Sequence, residues 1–92
     1  MSKDNILEVA YVMAQRDGFG SLTRDGVAAE AGVAMGSVNH HWGKMSALRE
    51  AVMQRAVEEG NLEIIAQGIA LGDTIANSAP LELRTRALTT LL

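Results

Sequence analysis

Gly32 most restricts what this chain can fold into. Ahead of it, Val27, Ala28 and Ala31 share one face of a short helix. Thr23 stands in the N-cap position of that helix, and Asp25 in its first turn suits the helix dipole. A glycine ends such a helix where the backbone must turn left-handed. A second short helix is expected almost at once, over residues 34–42, before Gly43 breaks the chain again. Two short helices joined by a glycine-bearing turn are the signature of a helix-turn-helix unit. With 14 Ala and 10 Leu against three aromatics (Tyr11, Phe19 and Trp42), the rest of the sequence also favours helix over strand. The expected fold class is all-α.

The flanking segments complete this picture. Ile6, Leu7, Ala10, Met13 and Ala14 form one buried face of a first helix over residues 4–16, capped by Ser2 or Asp4. Gly18 and Gly20 stop it, and Phe19 between them plugs the core. A fourth helix is expected from Met45 or Ser46 toward Glu59, carrying Leu48, Val52 and Ala56, with Gly60-Asn61 ending or kinking it. Leu62, Ile65, Ala66 and Ile69 then restore an apolar helical face. Gly68, Gly72 and residues 77–80 weaken helix beyond it, and Pro80 suits the first turn of a last helix. Leu81, Leu88, Leu91 and Leu92 give that helix an apolar side. The expectation is a three-helix helix-turn-helix head at 1–44, then a fourth helix and a short helical dimerisation tail at 45–92, together one compact domain. So much alanine buries little area per residue, and a domain of 92 residues is short of core. A second copy packed on the tail supplies the missing burial, with Leu62, Ile65, Ile69 and Leu88 as candidate homodimer contacts.

Eight Lys and Arg against eleven Asp and Glu leave a net charge of −3, so the bulk basic signature of a nucleic-acid binder is missing. The distribution says more than the sum. Residues 31–49 contain no acid, yet they hold His40, His41, Lys44 and Arg49. The absence of Cys excludes a disulfide scaffold, a Cys-based zinc finger and a thiol nucleophile. Adjacent His40 and His41 diverge on a helix and have no partner four residues away, so no metal site is expected. No Ser-His-Asp set, phosphate-cradling glycine loop or paired-carboxylate motif stands out, so neither an enzyme nor a cofactor is expected. Apolar runs fall well short of the roughly 20 residues of a membrane span, and residues 1–5 show no signal-peptide pattern. A cytoplasmic protein with no membrane partner is the expectation.

The stretch from Ile6 to Val52 resembles the DNA-binding domain of the tetracycline-repressor (TetR/AcrR) family. Ile6-Leu7-Glu8-Val9-Ala10 with Gly18-Phe19 stands where the family has a first helix closing on a Gly-aromatic pair. Leu22-Thr23-Arg24-Asp25 opens the second helix, and Val27-Ala28-Ala29-Glu30-Ala31-Gly32-Val33 matches the family's I-A-x-x-A-G-V run. Gly36-Ser37-Val38-Asn39-His40-His41-Trp42 lies where the family has G-[ST]-[LIV]-Y-x-[HY]-F, with Ala47-Leu48 following at the family spacing. The departures are Asn39 for a Tyr, Met35 and Met45 for Lys, and Ala34 for a Ser or Thr cap. The missing cap alone should cost about 1 kcal/mol of local helix stability. Family members carry a large helical ligand-binding and dimerisation domain. About thirty residues follow the fourth helix here, too few to enclose a pocket of several hundred Å³, so no small-molecule ligand is expected.

At about 100° per residue, Val38 and Trp42 point together into the core. Gly36, Ser37 and His40 occupy the opposite side, with Asn39 at the boundary. Short polar side chains there can hydrogen-bond base edges in a major groove, and a glycine lets the helix start approach the duplex closely. The resemblance adds Met35 to this reading face. Thr23 is a helix cap that can also serve a phosphate, and Arg24 and Lys44 flank the unit as phosphate contacts. The resulting expectation is sequence-specific binding of double-stranded DNA as a homodimer, repressing transcription. Two alternatives stay open: a phage or plasmid DNA-positioning adaptor for partition or packaging, and a protein-interaction module that has lost DNA binding. A promoter footprint favours the first reading and a repeat array or packaging site the second. No binding at low salt favours the third.

Overall fold

The computed structural model describes residues 2–92; residue 1 lies outside the described residues. Seven α-helices follow one another with no strand among the described residues: α1 Lys3–Asp17, α2 Arg24–Ala31, α3 Met35–Trp42, α4 Met45–Glu59, α5 Leu62–Ala70, α6 Thr74–Asn77 and α7 Leu81–Thr89. A 3₁₀ turn at Phe19–Ser21 links α1 to α2. No helix among the described residues is long and apolar enough to cross a membrane.

The helix ends follow local chemistry. Ser2 caps α1 by accepting from the Asn5 N–H at 3.2 Å, and Thr23 caps α2 by accepting from the Gly26 N–H at 3.1 Å. Gly32 closes α2 at φ 71°, the left-handed conformation that a Cβ disfavours, and Gly60 closes α4 at φ 66° in the same way. Gly60 thus separates α4 from α5 outright, and Asn61 caps the new helix through the Ile64 N–H at 3.3 Å. Ala34 stands at the N-cap of α3 and, having no side-chain oxygen, makes no cap bond.

One core runs through all of this. Ile6, Ala10, Met13 and Ala14 of α1 meet Val27 and Ala28 of α2, Val38 of α3, and Leu48, Val52 and Met53 of α4. Phe19 plugs this core and is 4% exposed. Its backbone N–H donates to Gln67 Oε1 at 2.6 Å, which pins the turn to α5. Arg49 of α4 donates to the Leu22 carbonyl at 2.9 Å and so ties α4 to the entry of α2. The helix α5 packs against α4, α6 and α7.

The tail differs from the sequence-based expectation in three respects. Ile65 is 0% exposed within its own chain, so it belongs to the protomer core and is not a contact for a second copy. Leu62 and Ile69 are half-buried and pack against the same core. On α7 the inward face is Leu83 and Ala87, and the apolar side made by Leu81, Leu88, Leu91 and Leu92 is exposed, so here expectation and fold do not conflict. The core-facing side of α7 is therefore the less bulky one. A short α6, capped by Asp73 through the Ala76 N–H at 2.9 Å, also fills part of the stretch where helix looked weak.

A polar node closes the junction of α1, α4 and α5. The buried Tyr11 hydroxyl donates to Glu59 Oε1 at 3.3 Å and accepts from the Asn61 side-chain amide at 3.1 Å. The Arg55 guanidinium lies 4.2 Å from the Tyr11 ring centroid and pairs with both Glu59 and Glu8. Burial pushes the Tyr11 hydroxyl above its ordinary value. The hydrogen bond from Arg55 holds Glu59 below the usual carboxylate range, and Arg16 does the same for Asp17 and Glu30. A depressed carboxylate contributes stability above its unfolded value and loses it as pH falls through its folded value. The melting temperature should therefore fall as pH drops from about 5 to about 3. Arg55→Met should flatten the part of that decline owed to Glu59. A decline as steep in Arg55→Met as in the wild type would remove the node from this account.

Candidate nucleic-acid interface

The outward side of α3 is set by what its inward side must do. Val38 is 0% exposed and is the one buried residue of the helix. Gly36, Asn39 and His40 are exposed, Ser37 is half-buried beside them, and Met35 at the helix start is 49% exposed. A Cβ built on Gly36 would have no neighbour within 4 Å. Its lack of a side chain therefore answers no packing need inside the protein and leaves the approach to the helix start open. Trp42 is half-buried, at the edge of the core rather than inside it.

The other expected contacts flank this face. Thr23 is exposed at the N-cap of α2, and α2 packs directly against α3. Its hydroxyl is already engaged as the cap acceptor, yet a hydroxyl keeps a donor for an outside acceptor. Arg24 is half-buried, and its Nε is shut from solvent without a hydrogen-bond partner. Lys44 is exposed at the N-cap position of α4, immediately after Gly43. The rings of His40 and His41 meet edge to face with centroids 5.2 Å apart.

The cations differ in what holds them. Arg16 is engaged by Asp17 and Glu30, and Arg55 by Glu8 and Glu59. Arg49 and Arg84 are each committed to a backbone carbonyl. Among the described residues of the head, Lys3, Arg24 and Lys44 make no ion pair with a carboxylate. Of these, Lys3 lies over the Trp42 ring at the end of α3, and Lys44 follows α3 in the chain. Sequence reasoning missed the contact between Lys3 and Trp42, which are 39 residues apart. It also missed the tie from Arg49 to Leu22, for which the sequence carries no local signal.

The arrangement can present short hydrogen-bonding groups to base edges and a few cations to phosphates. Neither curated proteins nor solved structures give a match to the chain. The family model of the bacterial regulatory proteins of the tetR family matches residues 6–52, from the first core residue of α1 through both helices of the helix-turn-helix to Val52 of α4. That match spans half of the chain and coincides with the all-helical head, so the protein belongs to the tetR family of bacterial regulatory proteins, whose N-terminal domain binds DNA.

Proposed function

We propose that the protein binds double-stranded DNA sequence-specifically as a homodimer and represses transcription where it binds. The observation that carries this reading is the outward side of α3, with Gly36, Ser37, Asn39 and His40 presented together and no acid on the helix. In this mechanism α3 lies in a major groove. Ser37, Asn39 and His40 offer hydrogen bonds to base edges, and Gly36 and Met35 allow close approach of the helix start. Thr23, Arg24 and Lys44 hold phosphates on either side. The test is selection of bound duplexes from a random pool, which reads binding, preference and half-site symmetry together.

Two copies are part of the proposal for a physical reason. One helix-turn-helix unit reads too few base pairs to select a site, and a two-fold pair reads two half-sites. The exposed side of α7, with Leu81 at 69% and Leu88 at 45% exposure, is the apolar surface available to a second copy. Leu62 and Ile69 are only partly available, because their own core takes most of them.

His40→Ala or Ser37→Ala should weaken the preferred duplex by about 1–3 kcal/mol and leave random duplexes nearly unaffected. Equal losses on both would show that this face does not read bases. No binding of any duplex at low salt would instead favour a module for protein contacts, which suits the net charge of −3.

A further inference from the structure

The helix α3 buries only one side chain fully. It has eight residues, no side-chain cap bond at its start, and Val38 as its one buried residue. A helix this short has no independent stability in water. One buried residue gives a pivot, not a direction, so a second fixed point is needed to set the axis.

Trp42, one turn after Val38, supplies that point. Its indole N–H donates to the Lys3 carbonyl at 3.1 Å. The Lys3 ammonium stands 4.5 Å from the centre of the same ring. A carbonyl has two lone pairs, so the Lys3 oxygen can accept this bond as well as one within α1. The end of α3 is thus joined to the first residue of α1, whose Ser2 cap keeps that turn in place. A phenylalanine at position 42 would offer a ring to the ammonium but no N–H to the carbonyl.

We infer that Trp42 is a positioning residue that fixes the direction of α3 by strapping its last turn to Lys3 of α1. The inference rests on α3 being the DNA-reading helix, but the strap itself can be measured without DNA. Base reading needs the helix direction held closely, because hydrogen-bond energy falls steeply with misalignment.

The experiment compares wild type, Trp42→Phe, Lys3→Met and Lys3→Arg. Amide hydrogen exchange is followed in the free protein, and binding is measured to the selected duplex and to a random one. In Trp42→Phe the α3 amides should exchange about three- to tenfold faster, the worth of one hydrogen bond, with the interiors of α1 and α4 unchanged. Affinity for the selected duplex should fall by a similar factor, and affinity for the random duplex should hold. Lys3→Met should show a smaller shift in the same direction, and Lys3→Arg should restore wild-type behaviour because it keeps a cation over the ring. Unchanged exchange in α3, or equal acceleration in every helix, would overturn the inference. So would faster exchange in α3 with full affinity for the selected duplex. If wild type selects no duplex, the DNA reading fails, and the exchange data alone decide whether Trp42 fixes α3.

Discussion

Gly68→Leu should destabilise the protein by several kcal/mol, a large part of the roughly 5–15 kcal/mol that holds a domain folded. Gly68 lies inside α5 and is itself buried. A Cβ there would stand 2.3 Å from Met53 Cε, 2.7 Å from Ala76 Cβ and 3.3 Å from Met53 Sδ. The Met53 tip can swing away at modest cost. The Ala76 Cβ cannot, because it is fixed to the backbone of α6 and 0% exposed. Any side chain at position 68 must therefore push α6 off α5. Gly68→Ala sets two effects against each other. Helix propensity favours alanine by about 1 kcal/mol, and overpacking costs about 1–3 kcal/mol. The second effect wins, since one of the clashing atoms is rigid and puts the overpacking cost at about 2–3 kcal/mol, and a net loss of about 1–2 kcal/mol is expected. Adding Ala76→Gly to Gly68→Ala should recover part of it, the coupling expected of two atoms competing for one space. Denaturant midpoints decide the matter. A Gly68→Ala protein as stable as the wild type would show that α5 and α6 are not in close contact.

The same glycine shows where sequence reasoning stops. Propensity marks Gly68 as a weakness in a helix, because propensity describes a residue and its neighbours along the chain. The need for a hydrogen at that point comes from α4 and α6, and no local pattern encodes it. Gly32 is the opposite case. Its role is a backbone conformation at φ 71°, fixed by the turn it sits in, and so it was legible at once. The helix-turn-helix was legible for the same reason, through caps, short apolar stripes and glycine stops. The contacts that orient it were not. Trp42 meets Lys3 across 39 residues, and Asn61 meets Tyr11 across 50. In the tail, expectation and fold part at α5 and at the short α6, not at the exposed side of α7. On α7, Leu83 and the small Ala87 pack closely on α5 and leave Leu81 and Leu88 outside. The spacing of Ile65 said that it would be buried, and the fold shows that its own chain buries it.

That last distinction separates two substitutions with very different expected effects. Ile65→Asp should unfold the protomer, because it puts a carboxylate with no partner into a position that is 0% exposed. It therefore says nothing about assembly. Leu81→Asp with Leu88→Asp changes two side chains that are 69% and 45% exposed, so each protomer should keep its helices. If a second copy covers α7, the pair of aspartates sets four like charges against one another across a two-fold axis and removes the apolar contact. Each protomer must then bind its half-site alone. Loss of the linked second binding event should lower affinity for a full two-half-site operator by about 10²–10⁴-fold, while affinity for a single half-site stays near its wild-type value. The arrangement of the helices suits this outcome. The core partner of α7 is α5, whereas α3 packs on α1, α2 and α4, so joining two copies through α7 leaves both reading helices free to face DNA. The half-sites should then lie about 34–36 Å apart, or a multiple of that distance. Sedimentation at micromolar concentration, run beside operator titrations, tests the chain of reasoning at each link. A dimeric wild type, a monomeric double variant with unchanged helix content, and loss confined to the full operator are the expected set. A wild type that sediments as a monomer and still binds one full operator tightly would overturn the two-copy mechanism.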